Sequence, residues 1–379
     1  MITLGGCPAA VTTCGVVARS RGGPRETAPA RSKSRYTPAT RQKRPGQTAK
    51  SCWSTRKHRL IGVAILRVII GFATVLYRLS DYSRRRFLWG PDSYNSFLTA
   101  KPALSRFGFS IFLWGHSTIW FEIVFRAVIV IALAFMIFGG RLLALAQAVM
   151  MWSLHNRNQD VLEGGDNLAQ IVILFMIFTV SNAYFAPGAK RRRAEMRAQE
   201  QPAVSTALHN LGAFLIVFQT AVLYFAAGYW KITGKVWQDG VAMYYISRIT
   251  GFEMSATYTH LMNNAFVGTA ICYFTIFVEL ALPFAILSSR PWVRKANTMA
   301  LETMHLGIMA CMGLVCFGLL MIGADCTCLR DDDYRSLARH FRALKERLVK
   351  EGWSLPPASG LSSAAMTAVP AGQEGMVDA

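Results

Sequence analysis

The sequence predicts an all-α integral membrane protein, a polytopic bundle of six or seven transmembrane helices. Three observations lead there. Of 379 residues, 53% are hydrophobic and only 16% charged, against roughly 25% charged in a soluble domain. Apolar windows of about the 20 residues that a helix needs to cross the hydrocarbon core lie at 60–79, 117–138, 167–187, 208–229, 265–287 and 297–324. None of them shows the strict alternation of a barrel strand.

Residues 1–59 come before the first window. They hold 13 basic side chains and one acid, Glu26, and so carry +12 of the formal +20. A segment this rich in Arg, Ser, Thr, Pro and Gly cannot bury enough apolar surface to offset its ordering entropy, and it lacks the apolar core of a signal peptide. It reads as a basic, disordered cytoplasmic tail or as an over-extended start. The transmembrane domain is then 60–328. A seventh window, 141–154, is apolar but short, and reads either as a tilted span or as a core helix.

Positive charge in the short loops sets orientation. The tail, the run 190–193 and the group Arg290, Arg294 and Lys295 fall on one side if 141–154 is a span. That places the chain in the cell membrane with its N-terminus cytoplasmic, and 155–166, 231–264 and 325 onward on the opposite face. Arg84, Arg85 and Arg86 disagree with this arrangement. The region 329–379 divides into a surface helix, Asp331–Lys350, with acids first and bases later, and a disordered Pro- and Gly-containing end. With its charge confined to tail and loops, the body is not a nucleic-acid binder. Eight cysteines in so long an apolar chain are no disulfide framework. No Walker loop, dinucleotide fingerprint or nucleophile elbow is present.

Ionisable residues inside spans are costly, so each is a functional hypothesis. They are Glu122, Arg126, His209, Glu279, Glu302 and His305, with Asp166, Lys231 and Asp325 at span ends. Glu122 and Arg126, four apart, share a helix face and can neutralise each other. Glu302 and His305 form one E-x-x-H pair, whereas di-iron bundles use two such pairs and two further Glu; no metal is expected. The polar stretch 153–167 contains His155 and Arg157, and places Asp166 as the N-cap of the next span. Tyr224, Gly228 and Lys231 follow at spacings of four and three, on one helix face. Lys231, ringed by Tyr229, Trp230 and Trp237, is either an interfacial anchor or, if its amine turns inward, a general base. Cys272, Cys311 and Cys316 read as core; for Cys326 and Cys328 a partner, a mutual bond or neither stays open.

Four segments, HNRNQDVLEGGDNLAQIVILFMIF, YFAAGYWKITGKVWQDGVAMYY, FVELALPFAIL and HLGIMACMGLVCFGLLMIGAD, resemble the HTTM (horizontally transferred transmembrane) family over about residues 60–328. That family is related to the membrane part of vitamin K-dependent γ-carboxylase. The resemblance implies a lumen-facing site in which a lysine deprotonates a reduced quinone-like molecule, and the matching lysine is Lys231, followed by Trp237. A histidine of the carboxylase falls on Arg157 or near His155. Catalytic candidates are therefore Lys231, His155 and Arg157, and substrate-binding candidates Tyr224, Trp230, Trp237, Asp166, Glu302 and His305. The long lumenal substrate-binding region of the carboxylase has no counterpart in these 379 residues, so peptide γ-carboxylation is not the expected activity. The alternative is a non-catalytic accessory protein for maturation or export of a secreted peptide, as in sporulation-delaying systems. Expected partners are the lipid bilayer and either a secreted peptide or a redox partner, with no nucleic acid.

Overall fold

A computed structural model describes residues 56–94, 108–251 and 256–350; the readings of residues 1–55 and 351–379 lie outside these. Among the described residues the regular structure is helical, with no strand. In chain order the helices are α1 (Leu60–Ser80), α2 (Arg85–Trp89), α3 (Thr118–Phe138), α4 (Arg141–Arg157), α5 (Gly164–Met176), α6 (Ala189–Ala198), α7 (Ala203–Thr233), α8 (Lys235–Gln238), α9 (Ala242–Ile246), α10 (Ala256–Leu261), α11 (Ala265–Leu287), α12 (Pro291–Met312), α13 (Val315–Cys328) and α14 (Asp331–Lys350). Four of these, α1, α3, α7 and α11, are long and apolar enough to cross a membrane.

Two predicted windows fold differently. The run 297–324 is not one helix. It breaks at Gly313, whose φ of +72° is a left-handed conformation that side chains other than glycine's resist. α12 and α13 fold back on each other as a hairpin, so that Gly318 lies against Met309 and the His305 carbonyl. Residues 325 onward consequently return beside the start of α1, instead of lying opposite it. There Arg59 donates to the Thr327 and Leu329 carbonyls, and the Asp331 carboxylate accepts from the Leu60 and Ile61 amides at 3.3 and 2.9 Å.

The second difference is in 167–187. The helix stops at Met176, and the chain continues to Gly188 in turns. Long-range contacts hold this irregular backbone. The Val180 amide donates to His209 Nδ1 at 2.9 Å, and His209 Nε2 lies 2.8 Å from the His58 carbonyl. Arg67, fully buried in α1, donates to the carbonyls of Phe135 and Met136 at the end of α3 and of Tyr184 and Phe185 in the turns. Irregular backbone at such depth is tolerated only where its polar groups find partners in the protein.

α13 is the centre of the bundle, packed against α1, α12, α5 and α7, while α3 packs on α1 and α11 on α7 and α12. Lipid is as apolar as these side chains, so hydrophobic burial gives little drive between spanning helices; close packing and polar clamps carry the association. Glu122 is one such clamp. Its carboxylate takes Arg126, at 3.1 Å as the spacing predicts, and also Arg85 and Arg86 at 3.0 and 2.8 Å. Two of the three arginines that disagree with the loop-charge rule are therefore bound to a carboxylate.

Candidate functional site

A line of buried polar groups runs along the inner face of α7 and across α11, α12 and α13. The spacing that stacks Tyr224, Gly228 and Lys231 on one face is realised, with Tyr224 1% exposed. Gly228 is where α11 comes closest: a Cβ there would stand 2.7 Å from Leu280 Cγ. That approach sets Glu279, the neighbour of Leu280, against Lys231. The Lys231 ammonium donates to both Glu279 oxygens at 2.7 and 2.8 Å and lies 5.2 Å from the centre of the Trp237 ring. Such a contact over an indole face adds to the attraction.

About two turns earlier along α7, the Tyr224 hydroxyl donates to Asp325 Oδ2 at 2.9 Å and is 2.6 Å from His305 Nε2. Where the tyrosine proton points at Asp325, the hydroxyl oxygen accepts from Nε2–H, an assignment of the tautomer made from the bonding pattern. His305 Nδ1 is then a bare lone pair. Neither that nitrogen nor Asp325 Oδ1 has a hydrogen-bond partner among the described residues, although both are buried. The Phe317 ring meets His305 edge-on at 5.9 Å. Glu302 turns elsewhere: the Cys326 thiol lies 3.7 Å from its Oε1. The E-x-x-H pair is thus divided between two partners.

His155, Arg157 and Asp166 belong to a separate polar cluster, where the α4–α5 junction meets the last turns of α1. His155 and Asp166 line a cavity of about 30 Å³ with Thr74, Arg78 and Gln170. Arg78 stacks over Trp89 at 4.5 Å. Arg157, 1% exposed, donates to the Gly90 carbonyl and to the Ser93 hydroxyl, which makes it a clamp on the loop after α2. Asp166 is not the N-cap of α5. Glu163 is, and Asp166 sits three residues on, its carboxylate accepting from the Glu163 amide at 3.3 Å to close a capping box. Burial, followed by repulsion from Asp166, pushes the Glu163 carboxyl up to about 7, opposed by a bond from the Phe317 backbone. Trp230 is 71% exposed and meets Tyr229 edge-on, away from the polar line. The five cysteines among the described residues, Cys272, Cys311, Cys316, Cys326 and Cys328, are unbridged.

Of the predicted site residues the fold brings Lys231, Trp237, Tyr224 and His305 into one line, and leaves His155, Arg157, Asp166 and Trp230 outside it. The roles of Glu279 and Asp325 as partners escaped sequence reasoning, although an intramembrane lysine and an intramembrane glutamate in one bundle are an obvious pair to test. Arg67 and Arg78 escaped altogether. They stand eleven residues apart, about three helical turns, so both fall on one stripe of α1; that spacing was the available signal. No protein-family model, curated protein or solved structure matches the chain.

Proposed function

We propose that the chain is a multi-pass membrane enzyme of the HTTM type. It would exchange protons between a hydroxyl-bearing, lipid-soluble substrate of the quinone class and the Lys231–Glu279 pair. One observation carries this reading: two buried acceptors, His305 Nδ1 and Asp325 Oδ1, lack donors on the helix line that ends at Lys231. Buried polar atoms are nearly always satisfied, and the hydroxyls of a reduced quinone-like molecule supply the donors that these two want. Lys231 can act as a base only after its proton passes to Glu279, whose oxygens are already in contact. Trp237 and Tyr224 flank the path that the substrate would take. In this reading α4 and α5 join the four long helices as crossings, making six. The α12–α13 hairpin enters and leaves on the side of the N-terminus.

The test is oxygen consumption by purified protein with duroquinol, in which dioxygen takes two electrons and two protons from the activated quinol to give duroquinone and hydrogen peroxide, together with mass spectrometry of co-purifying lipids. Lys231→Ala should abolish turnover while insertion and folding persist; an active variant would sink the proposal. The accessory reading draws on the same ion pair, since a lysine held by both oxygens of one carboxylate is what a purely structural contact looks like. Absence of any bound quinone and of duroquinol turnover, with loss of a secreted peptide on gene deletion, would favour it.

A further inference from the structure

Among the described residues, the hydrogen bonds and ion pairs that fasten the C-terminal helix α14 to the bundle lie at its start. Asp331 caps α1, Asp333 pairs with Arg294 at 2.7 Å, and the Tyr334 hydroxyl donates to the Cys326 carbonyl at 2.6 Å. From Arg339 to Leu348 every residue is exposed. Within this free stretch the apolar residues are ordered. Leu337, Phe341, Leu344 and Leu348 follow at spacings of four, three and four, which is one helix face. Phe341, Leu344 and Leu348 are 69%, 52% and 40% exposed.

The charges identify what covers that face. At roughly 100° per residue, Lys345 and Arg347 fall on opposite flanks of the stripe, and Arg335, Arg339 and Arg342 lie behind it. Between 334 and 348 the single acid is Glu346, against five Lys and Arg. The spacing would also suit a coiled coil with a second copy. In that register, however, the flanking positions are Ala338, His340, Lys345 and Arg347, with no acid to pair with a base across the interface, so like charges would meet. An apolar stripe bordered by bases matches an anionic lipid surface instead. The helix also starts at the mouth of α1, a helix long and apolar enough to span, which puts it at the bilayer boundary.

We infer that residues 337–348 of α14 lie in the interface of the leaflet at the N-terminal end of α1. Phe341, Leu344 and Leu348 enter the acyl boundary, and Lys345 and Arg347 bind anionic headgroups. This inference is independent of any catalytic role for Lys231. The test is hydrogen–deuterium exchange of the full chain, one copy per nanodisc, in phosphatidylcholine alone and with 30% phosphatidylglycerol. Amides of 338–348 should exchange several-fold more slowly in the anionic discs. Lys345→Glu with Arg347→Glu should remove that difference, since each base near a charged surface is worth roughly fivefold in binding. Phe341→Ser with Leu344→Ser should remove protection in both compositions while exchange in α1 and α7 stays unchanged. Equal protection in detergent and both lipid mixtures would overturn the inference in favour of another part of the chain. Protection that appears only with two copies per disc would overturn it in favour of self-association.

Discussion

The two polar clusters of the interior use their cations in opposite ways. In the α4 cluster, Arg157 gives its donors to a backbone carbonyl and a hydroxyl, neutral acceptors that hold a loop in place. In the α7 cluster, Lys231 gives its donors to a carboxylate that belongs to a separate helix. Removing the first cation orphans acceptors; removing the partner of the second strands a charge. The difference separates a cation held by neutral groups of a loop from one held by an ionisable group of a neighbouring helix, although both are cations near helix ends.

Breaking the charge pair should give the largest effect. Glu279→Ala leaves Lys231 beside an apolar helix, and should cost about 3 kcal/mol, the range for one partner lost from a buried pair. The double variant with Lys231→Ala should regain most of that, and thermal unfolding in detergent of both variants reads the coupling directly. A double variant no more stable than Glu279→Ala would mean that the pair is not coupled. Arg157→Ala should cost about 2 kcal/mol, from the desolvated acceptors it abandons. It should leave the quinone binding proposed beside Lys231 unchanged, which a titration of ligand-induced stabilisation would check.

Protons sharpen the contrast further. Glu163 has its folded-state pKa raised to about 7 from 4.5, so the native state holds a proton there that the unfolded chain releases. Stability from this group is complete below about pH 4.5, declines as pH rises towards 7 and is flat above. Glu163→Gln should flatten melting temperature against pH over that window; an unchanged slope assigns the dependence elsewhere. The smallest effect belongs to Trp230→Ala. Its ring sits outside the polar line, so stability should change by no more than about 0.5 kcal/mol, with the turnover proposed for Lys231 retained.

What the sequence made legible follows from how local each signal is. The boundaries of α11 coincide with the apolar window 265–287, and α1 and α3 differ from theirs by one residue, because long apolar runs are read residue by residue. The Tyr224–Gly228–Lys231 face was equally legible, being a matter of helical spacing alone. The α12–α13 hairpin was not: Gly313 sits in an unbroken apolar run, and nothing local distinguishes a reversal from a continuous span. Asp325 reaches Tyr224 only because of that reversal. The early end of α5 was hidden for a related reason, since the groups that hold 177–188 in turns, Arg67 and His209, are 117 and 29 residues away from the groups they bind.

The cap on α1 bears on the order in which the protein is made. Arg59 supplies no side-chain cap for this helix, and the carboxylate that does so is separated from the Leu60 amide by 271 residues. At roughly 5–20 residues per second, the ribosome delivers Asp331 tens of seconds after α1. The first helix among the described residues is thus completed by a segment made 271 residues later, and until then its leading amides must rely on water or headgroups. A chain halted before Asp331 lacks the carboxylate that closes this seam, so the start of α1 is completed only once the C-terminal segment is made.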